Sequence, residues 1–224
     1  MAPARPRAVF FDVDGVLLDS LPQHLKFCAD KAREYGLTQL AMPSPAELRR
    51  MVRMGVAVSP MLNMLLAVGF PPPLAQRAVE DYERQFMANY RPRPFPGIEA
   101  MLKRLAAAGL PIGLVTSNTR LNVEPALGDA MSYFDPRCRF FFDNAQGPAH
   151  KPDRLREGAE ILQLPAAQCV YVGDQPSDVA AAKAAGFMFL GVSYGWGLAA
   201  DDASLRVADD VATIADTLID HGAS

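Results

Sequence analysis

Apolar residues recur along this chain in two rhythms. Short runs have the length of buried strands and end in Gly, Pro, Asp or Asn: "AVFFDVDG" from residue 8, "PIGLVTSN" at 111–118, "RFFFDN" at 139–144, "CVYVGD" at 169–174 and "FMFLGVSYGWG" at 187–197. Longer stretches repeat every three to four residues and predict helices. Residues 21–35 set Leu21, Leu25, Cys28 and Ala32 near one face, and Gly36 closes them. "PSPAELRRMVRMG" opens with Ser44, Pro45 and Glu47 in capping-box spacing, and "SPMLNMLLAVGF" and "PPPLAQRAVEDYERQFMANY" repeat the proline start. Residues 20 to about 91 therefore form a predicted all-helical block with no strand candidate. After "RPRPFPG" (91–97), a stiff connector, strands alternate with helices at 97–109, "KPDRLREGAEILQL", "PSDVAAAKAAG" and "ADDVATIADTLIDHG".

Apolar strands alternating with helices imply an α/β fold with a parallel sheet wrapped on both faces. The first strand belongs to that sheet although the helical block separates it from the rest. The predicted organisation is a core of residues 1–19 and 95–224 with residues 20–94 inserted, joined by chain crossings near 19–21 and 91–95.

Composition narrows the class. The chain has 224 residues, half of them hydrophobic and 21% charged, with a formal net charge of -3. That profile is globular and offers no basic field for nucleic acid. No apolar run reaches the length of a membrane span and no cleavable signal pattern opens the chain, so the expectation is no membrane partner and a cytoplasmic location. Three widely spaced cysteines, Cys28, Cys138 and Cys169, suit buried free thiols better than a disulfide framework or a thiolate metal site. The sequence leaves oligomeric state open.

The first strand carries the chemistry. Asp12 and Asp14 lie two apart in an apolar run and point to one side while the chain stays extended. Carboxylates so placed share a proton, recruit a cation, or diverge at a turn. Ligands of parallel sheets bind beyond the carboxyl ends of the strands. There the sequence adds Thr116, Ser117 and Asn118, then Asp143 and Asn144, then Asp174 and Asp178 of "GDQPSD", with Lys151 just before a helix. Each group has a plain structural reading: a turn, a helix cap, a solvated loop lysine. Together, in order at successive strand ends, they make an oxygen-only set that points to Mg²⁺ rather than zinc and suits phosphoryl transfer.

With these motifs the chain resembles the haloacid dehalogenase superfamily over nearly its whole length: "FDVDGVLLDS", "GLVTSN", "HKPD" and "VGDQPSDVAAAKAAG" match the family's four motifs in order. The helical block sits where the family inserts a C1-type cap, and "YGWG" resembles a loop of phosphoglycolate phosphatase-like members. The resemblance implies a Rossmannoid core and a small phosphorylated metabolite as substrate. It makes Asp12 the nucleophile that becomes an aspartyl-phosphate. Asp14 becomes the general acid and then base, and lends its backbone carbonyl to Mg²⁺. Thr116, with backbone amides at Ser117 and Asn118, holds the phosphoryl group, and Lys151 neutralises charge. Asp174 ligates Mg²⁺ directly, and Asp178 directly or through water. Gly15, His24 and Arg53 complete the expected substrate-binding set.

An acid at Asp14 argues for a phosphatase over a dehalogenase. Neither cap lysine, Lys26 or Lys31, sits where phosphonatases carry theirs. One alternative is a sugar phosphomutase of the β-phosphoglucomutase type, which has histidine at the position of His24; another, against which the complete set of Asp12, Asp14, Thr116, Lys151 and Asp174 speaks, is a non-catalytic binding or regulatory protein on the same fold. His24 either helps Asp14 manage its proton or faces water from a helix. Arg53 stands where the phosphoglycolate phosphatase-like caps are expected to have glycine. It either clamps a substrate anion, with Arg49 and Arg50 nearby, or is solvated. Met51, Met54, Met61 and Met64 read as cap core, and Trp196 as packed beside the site or on the sheet edge.

Overall fold

Val9 and Phe11 turn to one side of the first strand and Ala8 and Phe10 to the other, and all four are fully buried. Both faces of this strand are covered, which is why its sequence shows no alternation. In the computed structural model, which describes residues 5–142, 150–201 and 203–219, this strand is β1 (Ala8–Phe11). The chain then makes a short β2 (Leu18–Asp19) and four helices, α1 (Leu21–Glu34), α2 (Pro45–Arg53), α3 (Met61–Ala67) and α4 (Pro72–Asn89). It returns through β3 (Arg93–Pro94) and continues as α5 (Ile98–Ala107), β4 (Ile112–Val115), α6 (Arg120–Leu127), β5 (Arg139–Phe140) and α7 (Lys151–Ile161). The last elements are β6 (Cys169–Gly173), α8 (Pro176–Ala185), β7 (Met188–Val192), β8 (Val207–Ala208) and α9 (Val211–Ile219).

The main sheet has six parallel strands in the order β5-β4-β1-β6-β7-β8, so β1 lies between β4 and β6. On one face Val9, Phe11, Leu114 and Val172 pack with Leu102 and Leu105 of α5 and Ile214 and Leu218 of α9. On the other, Phe10 and Tyr171 pack with Leu155 and Ala159 of α7 and Ala181 and Ala182 of α8. Helices α1–α4 enclose a separate apolar core around Leu21, Phe27, Leu48, Met64 and Phe86, which Trp196 joins from the loop after β7. Ser44 and Glu47 form the expected capping box at the start of α2. All three cysteines are buried free thiols, and no helix of the described residues is long and apolar enough to cross a membrane.

Three features differ from the sequence expectation. The two chain crossings are paired, β2 running antiparallel to β3 with Leu18 opposite Pro94 and Asp19 opposite Arg93. Two-residue strands carry no periodicity, and β8 escapes notice for the same reason. Helix α6 holds Pro125 inside it, a residue that removes a backbone donor and reads as a breaker. Met54, expected in the cap core, is 79% exposed. Asp143 and Asn144 lie outside the described residues.

Gly158 on α7 shows how tightly one face is packed: a Cβ there would sit 2.4 Å from a carbon of the Phe10 ring. Helix propensity alone favours alanine by about 1 kcal/mol, whereas overpacking a filled core costs about 1–3 kcal/mol. Packing wins, so Gly158→Ala is expected to lower the unfolding free energy, read from the urea midpoint at unchanged m-value.

Candidate active site

At the carboxyl end of β1 the chain stops being extended. The amides of Val16, Leu17 and Leu18 all donate to the Val13 carbonyl, and the Gly15 amide donates to Leu18 O. This turn separates the two aspartates. Asp12 Oδ2 accepts from Lys151 Nζ at 2.7 Å, while Asp14 Oδ2 accepts from Asn118 Nδ2 at 2.8 Å. Gly15 has φ +82°, and a Cβ there would fall 2.1 Å from Asp174 Oδ2. Only glycine lets the turn close against that carboxylate. Gly15 thus shapes the site by close approach of its backbone.

Lys151, the first residue of α7, links the end of β1 to the start of α8. Its Nζ donates to Asp12 and, at 2.8 Å, to Asp178 Oδ1. The other Asp178 oxygen accepts from the amides of Asp174 and Gln175, tying the turn after β6 to the start of α8. Asp174 is fully buried; its Oδ2 accepts from the Trp196 amide at 2.6 Å, and its Oδ1 has no hydrogen-bond partner. One oxygen from each of Asp12, Asp174 and Asp178 lies within 4.8 Å of the others.

Burial dominates the electrostatics. It pushes Asp12 up to about 7, against the lowering pull of Lys151. Asp174 is held well above the carboxylate range by burial and then by Asp178 and Asp12. For Lys151, burial acts to lower the pKa, but Asp12 and Asp178 outweigh it and hold the ammonium protonated. Three carboxylates against one ammonium leave room for a cation, and the orphaned Asp174 Oδ1 offers it a ligand. The trio supplies only carboxylate oxygen, which fits a hard divalent ion.

Above this cluster is a cavity whose lining includes Asp12, Asp14, Thr116, Ser117 and Asn118 from the sheet side and His24, Ser59, Met61 and Tyr82 from the helices. Thr116 Oγ1 accepts from the Asn118 amide at 3.1 Å, so its own proton is left for an acceptor. The Asn118 amide thus donates within the turn in this structure. His24 does not face water: it is 3% exposed. Its Nδ1 lies 2.8 Å from the Ser20 carbonyl and its Nε2 3.0 Å from the Tyr82 hydroxyl. Nδ1 carries a proton because a carbonyl can only accept. Burial lowers the His24 pKa, opposed by the Asp14 carboxylate.

Arg53 does not line this cavity. It lies exposed at the end of α2, where Met54 and Gly55 are exposed too. One turn earlier, Arg49 Nε donates to Gly195 O at 2.8 Å and ties α2 to the loop that holds Asp174. Sequence reasoning did not find Tyr82, Gln175 or the Arg49 contact. A tyrosine on an amphipathic helix reads as core, and Tyr82 is only 5% exposed.

The fold and this acid-rich strand edge, covered by helices, define an α/β protein whose buried carboxylate cluster at the strand ends is compatible with a divalent cation. The haloacid dehalogenase-like hydrolase family matches residues 6–186, and the chain belongs to that family. A phosphoglycolate phosphatase of Xanthomonas campestris pv. campestris is 34% identical over 208 residues, covering 88% of this chain and 87% of its own. A phosphoglycolate phosphatase of Rhodospirillum rubrum is 34% identical over 233 residues, covering 95% and 91%. Among solved structures, a haloacid dehalogenase-like family hydrolase from Streptococcus pneumoniae superposes with a TM-score of 0.75 at 21% identity, covering 95% of this chain and 98% of that one.

The Asp12 shift gives the cation site a pH signature. Asp12 titrates near 7 in the fold against an ordinary value of 3.8, so between those values the folded chain holds a proton that the unfolded chain has released. Its contribution to stability therefore falls as pH rises through that window. A divalent ion bound at this cluster would take the place of that proton. Added Mg²⁺ is expected to raise Tm more at about pH 8 than at about pH 5, measured by thermal unfolding with and without chelator. Equal gains at both would exclude the Asp12–Asp174–Asp178 cluster as the binding site.

Proposed function

We propose that this protein is a Mg²⁺-dependent phosphatase that hydrolyses a small phosphorylated metabolite through an aspartyl-phosphate on Asp12. The observation that carries the reading is the Lys151 bridge between Asp12 and Asp178. It holds the Asp12 carboxylate, which lines the cavity, beside a fixed positive charge. Asp12 and Asp174, with the Asp14 carbonyl, would hold Mg²⁺. Asp178 serves through water or by anchoring Lys151, since both its oxygens already have donors. When bound, the ion neutralises charge on the phosphoryl oxygens.

In the first half-reaction an Asp12 oxygen attacks phosphorus in line, and the bond to the leaving oxygen breaks as Asp14 donates its proton there. Thr116 donates its hydroxyl proton to a phosphoryl oxygen, and Lys151 balances the charge. In the second, Asp14 removes a proton from water. The water oxygen attacks phosphorus, the Asp12–phosphorus bond breaks, and inorganic phosphate leaves. Helices α1–α4 close the cavity over both steps and limit access of bulk water. Substrate choice falls to Ser59, Met61, Tyr82 and His24, because the sheet edge meets only the phosphoryl group. The matching relatives make phosphoglycolate the first substrate to test.

Phosphate release is expected to require both Mg²⁺ and Asp12: chelator abolishes it, and Asp12→Asn lowers kcat by at least about 1000-fold. Release from phosphoglycolate, read beside a panel of sugar phosphates, identifies the substrate. An isomerised sugar phosphate without free phosphate would replace the phosphatase reading with the mutase.

A further inference from the structure

We propose that Asn118 is a positioning residue that decides which oxygen of Asp14 carries the catalytic proton; the proposal rests on Asp14 as the acid for the leaving group. Asn118 Nδ2 donates to Asp14 Oδ2 at 2.8 Å. An N–H group needs a lone pair opposite it, so a hydrogen on Oδ2 along that line is excluded. Oδ2 keeps a second lone-pair site, but a carbonyl-type oxygen accepts more strongly than a hydroxyl one, so the Asn118 bond favours the proton on Oδ1. Asp14 lines the cavity, and its Oδ1 is buried without a hydrogen-bond partner. That is the oxygen left to meet a leaving group.

This works only if the Asn118 amide cannot turn over. Flipped, it would present oxygen to Asp14 and draw the proton to Oδ2. Three donors oppose the flip. Asn118 Oδ1 accepts from the Thr119 amide at 2.8 Å, from Asn122 Nδ2 at 3.1 Å and from the Tyr82 hydroxyl at 3.1 Å. Asn118 and Asn122 are 4% and 2% exposed, so water cannot replace the lost partners. Each buried donor left unmatched costs about 1–3 kcal/mol, and a flip strands two or three of them.

The three donors come from both parts of the molecule. Thr119 and Asn122 belong to the start of α6, and Tyr82 reaches over from α4. Tyr82 is the weakest of the three, because its single proton is shared between Asn118 Oδ1 and the Nε2 of a neutral His24. Asn122 is accordingly the stronger lever on the Asn118 amide.

The test compares kcat/KM for p-nitrophenyl phosphate, whose leaving group needs little protonation, with phenyl phosphate, whose leaving group needs more. Asn118→Asp keeps the shape and the acceptor for all three donors but offers Asp14 Oδ2 an oxygen instead of an N–H. It is expected to lower kcat/KM for phenyl phosphate about 10- to 100-fold and for p-nitrophenyl phosphate less than about 3-fold. Asn122→Ala, which leaves Asn118 itself intact, is expected to give a smaller loss with the same selectivity and decides the matter should Asn118→Asp fail to fold. Equal losses on both substrates in a folded variant would overturn the proposal and leave Asn118 a purely structural residue. Asp14→Asn is measured alongside. If it shows no preference between the two substrates, the acid role of Asp14 fails. If it shows the preference and the Asn118 and Asn122 variants do not, only the proposal fails.

Discussion

Lys151 lies between Asp12 and Asp178, and this bridge is the contact on which the rest of the site depends. Three carboxylates meet at the buried ends of β1 and β6 and the start of α8, where water cannot screen them. Without the ammonium their mutual repulsion would oppose closure of the sheet edge. With it, Asp178 is free to organise the turn after β6 through the amides of Asp174 and Gln175. The chain also closes tightly around Asp174: Gly15 and Gly195 both approach it at distances no side chain would allow. One ammonium does not balance three carboxylates, and the raised pKa values of Asp12 and Asp174 show the cluster retaining protons in place of a further cation.

The helical block contributes few polar groups to this centre, and those it does contribute meet the core at two places. Arg49 bonds to Gly195 O, in the loop whose next residue donates to Asp174. Tyr82 bonds to Asn118, whose amide donates to Asp14. Trp196 belongs to the sheet side in sequence and to the helical core in packing, with its ring 5.1 Å from that of His24. The same contacts that seat the helices therefore reach two different carboxylates of the site, Asp174 on one side and Asp14 on the other.

The sheet was legible because its strands are buried on both faces and end in residues with chemistry of their own. "CVYVGD" announces both β6 and Asp174. Helices α1 and α2 were legible from periodicity and from the Ser44–Glu47 cap. What escaped has physical reasons: α6 contains a proline, and β2, β3 and β8 are too short for a period to appear. At the site, Asp12, Asp14, Thr116 and Lys151 stood out because carboxylates in an apolar run and a lysine before a helix demand an explanation. The residues that orient them did not. Tyr82 and Asn122 look like ordinary helix residues until the fold brings their polar atoms to Asn118. Arg53 misled because one exposed arginine in a basic helix face reads like another; only the packing of α2 shows Arg49 to be the one that reaches the core.

The pairing of β2 with β3 has a consequence beyond the helices it frames. The segment that leaves the core after Asp19 returns at Arg93 to the strand it left, so its ends are neighbours. The entropy of closing such an excursion changes only slowly with its length, so the strand pairing tolerates changes in the length of what lies between. The helical segment is in this sense a cassette: its length, packing and lining can drift or be exchanged while the strands keep their register. A core so built can retain one chemistry through many changes of clientele.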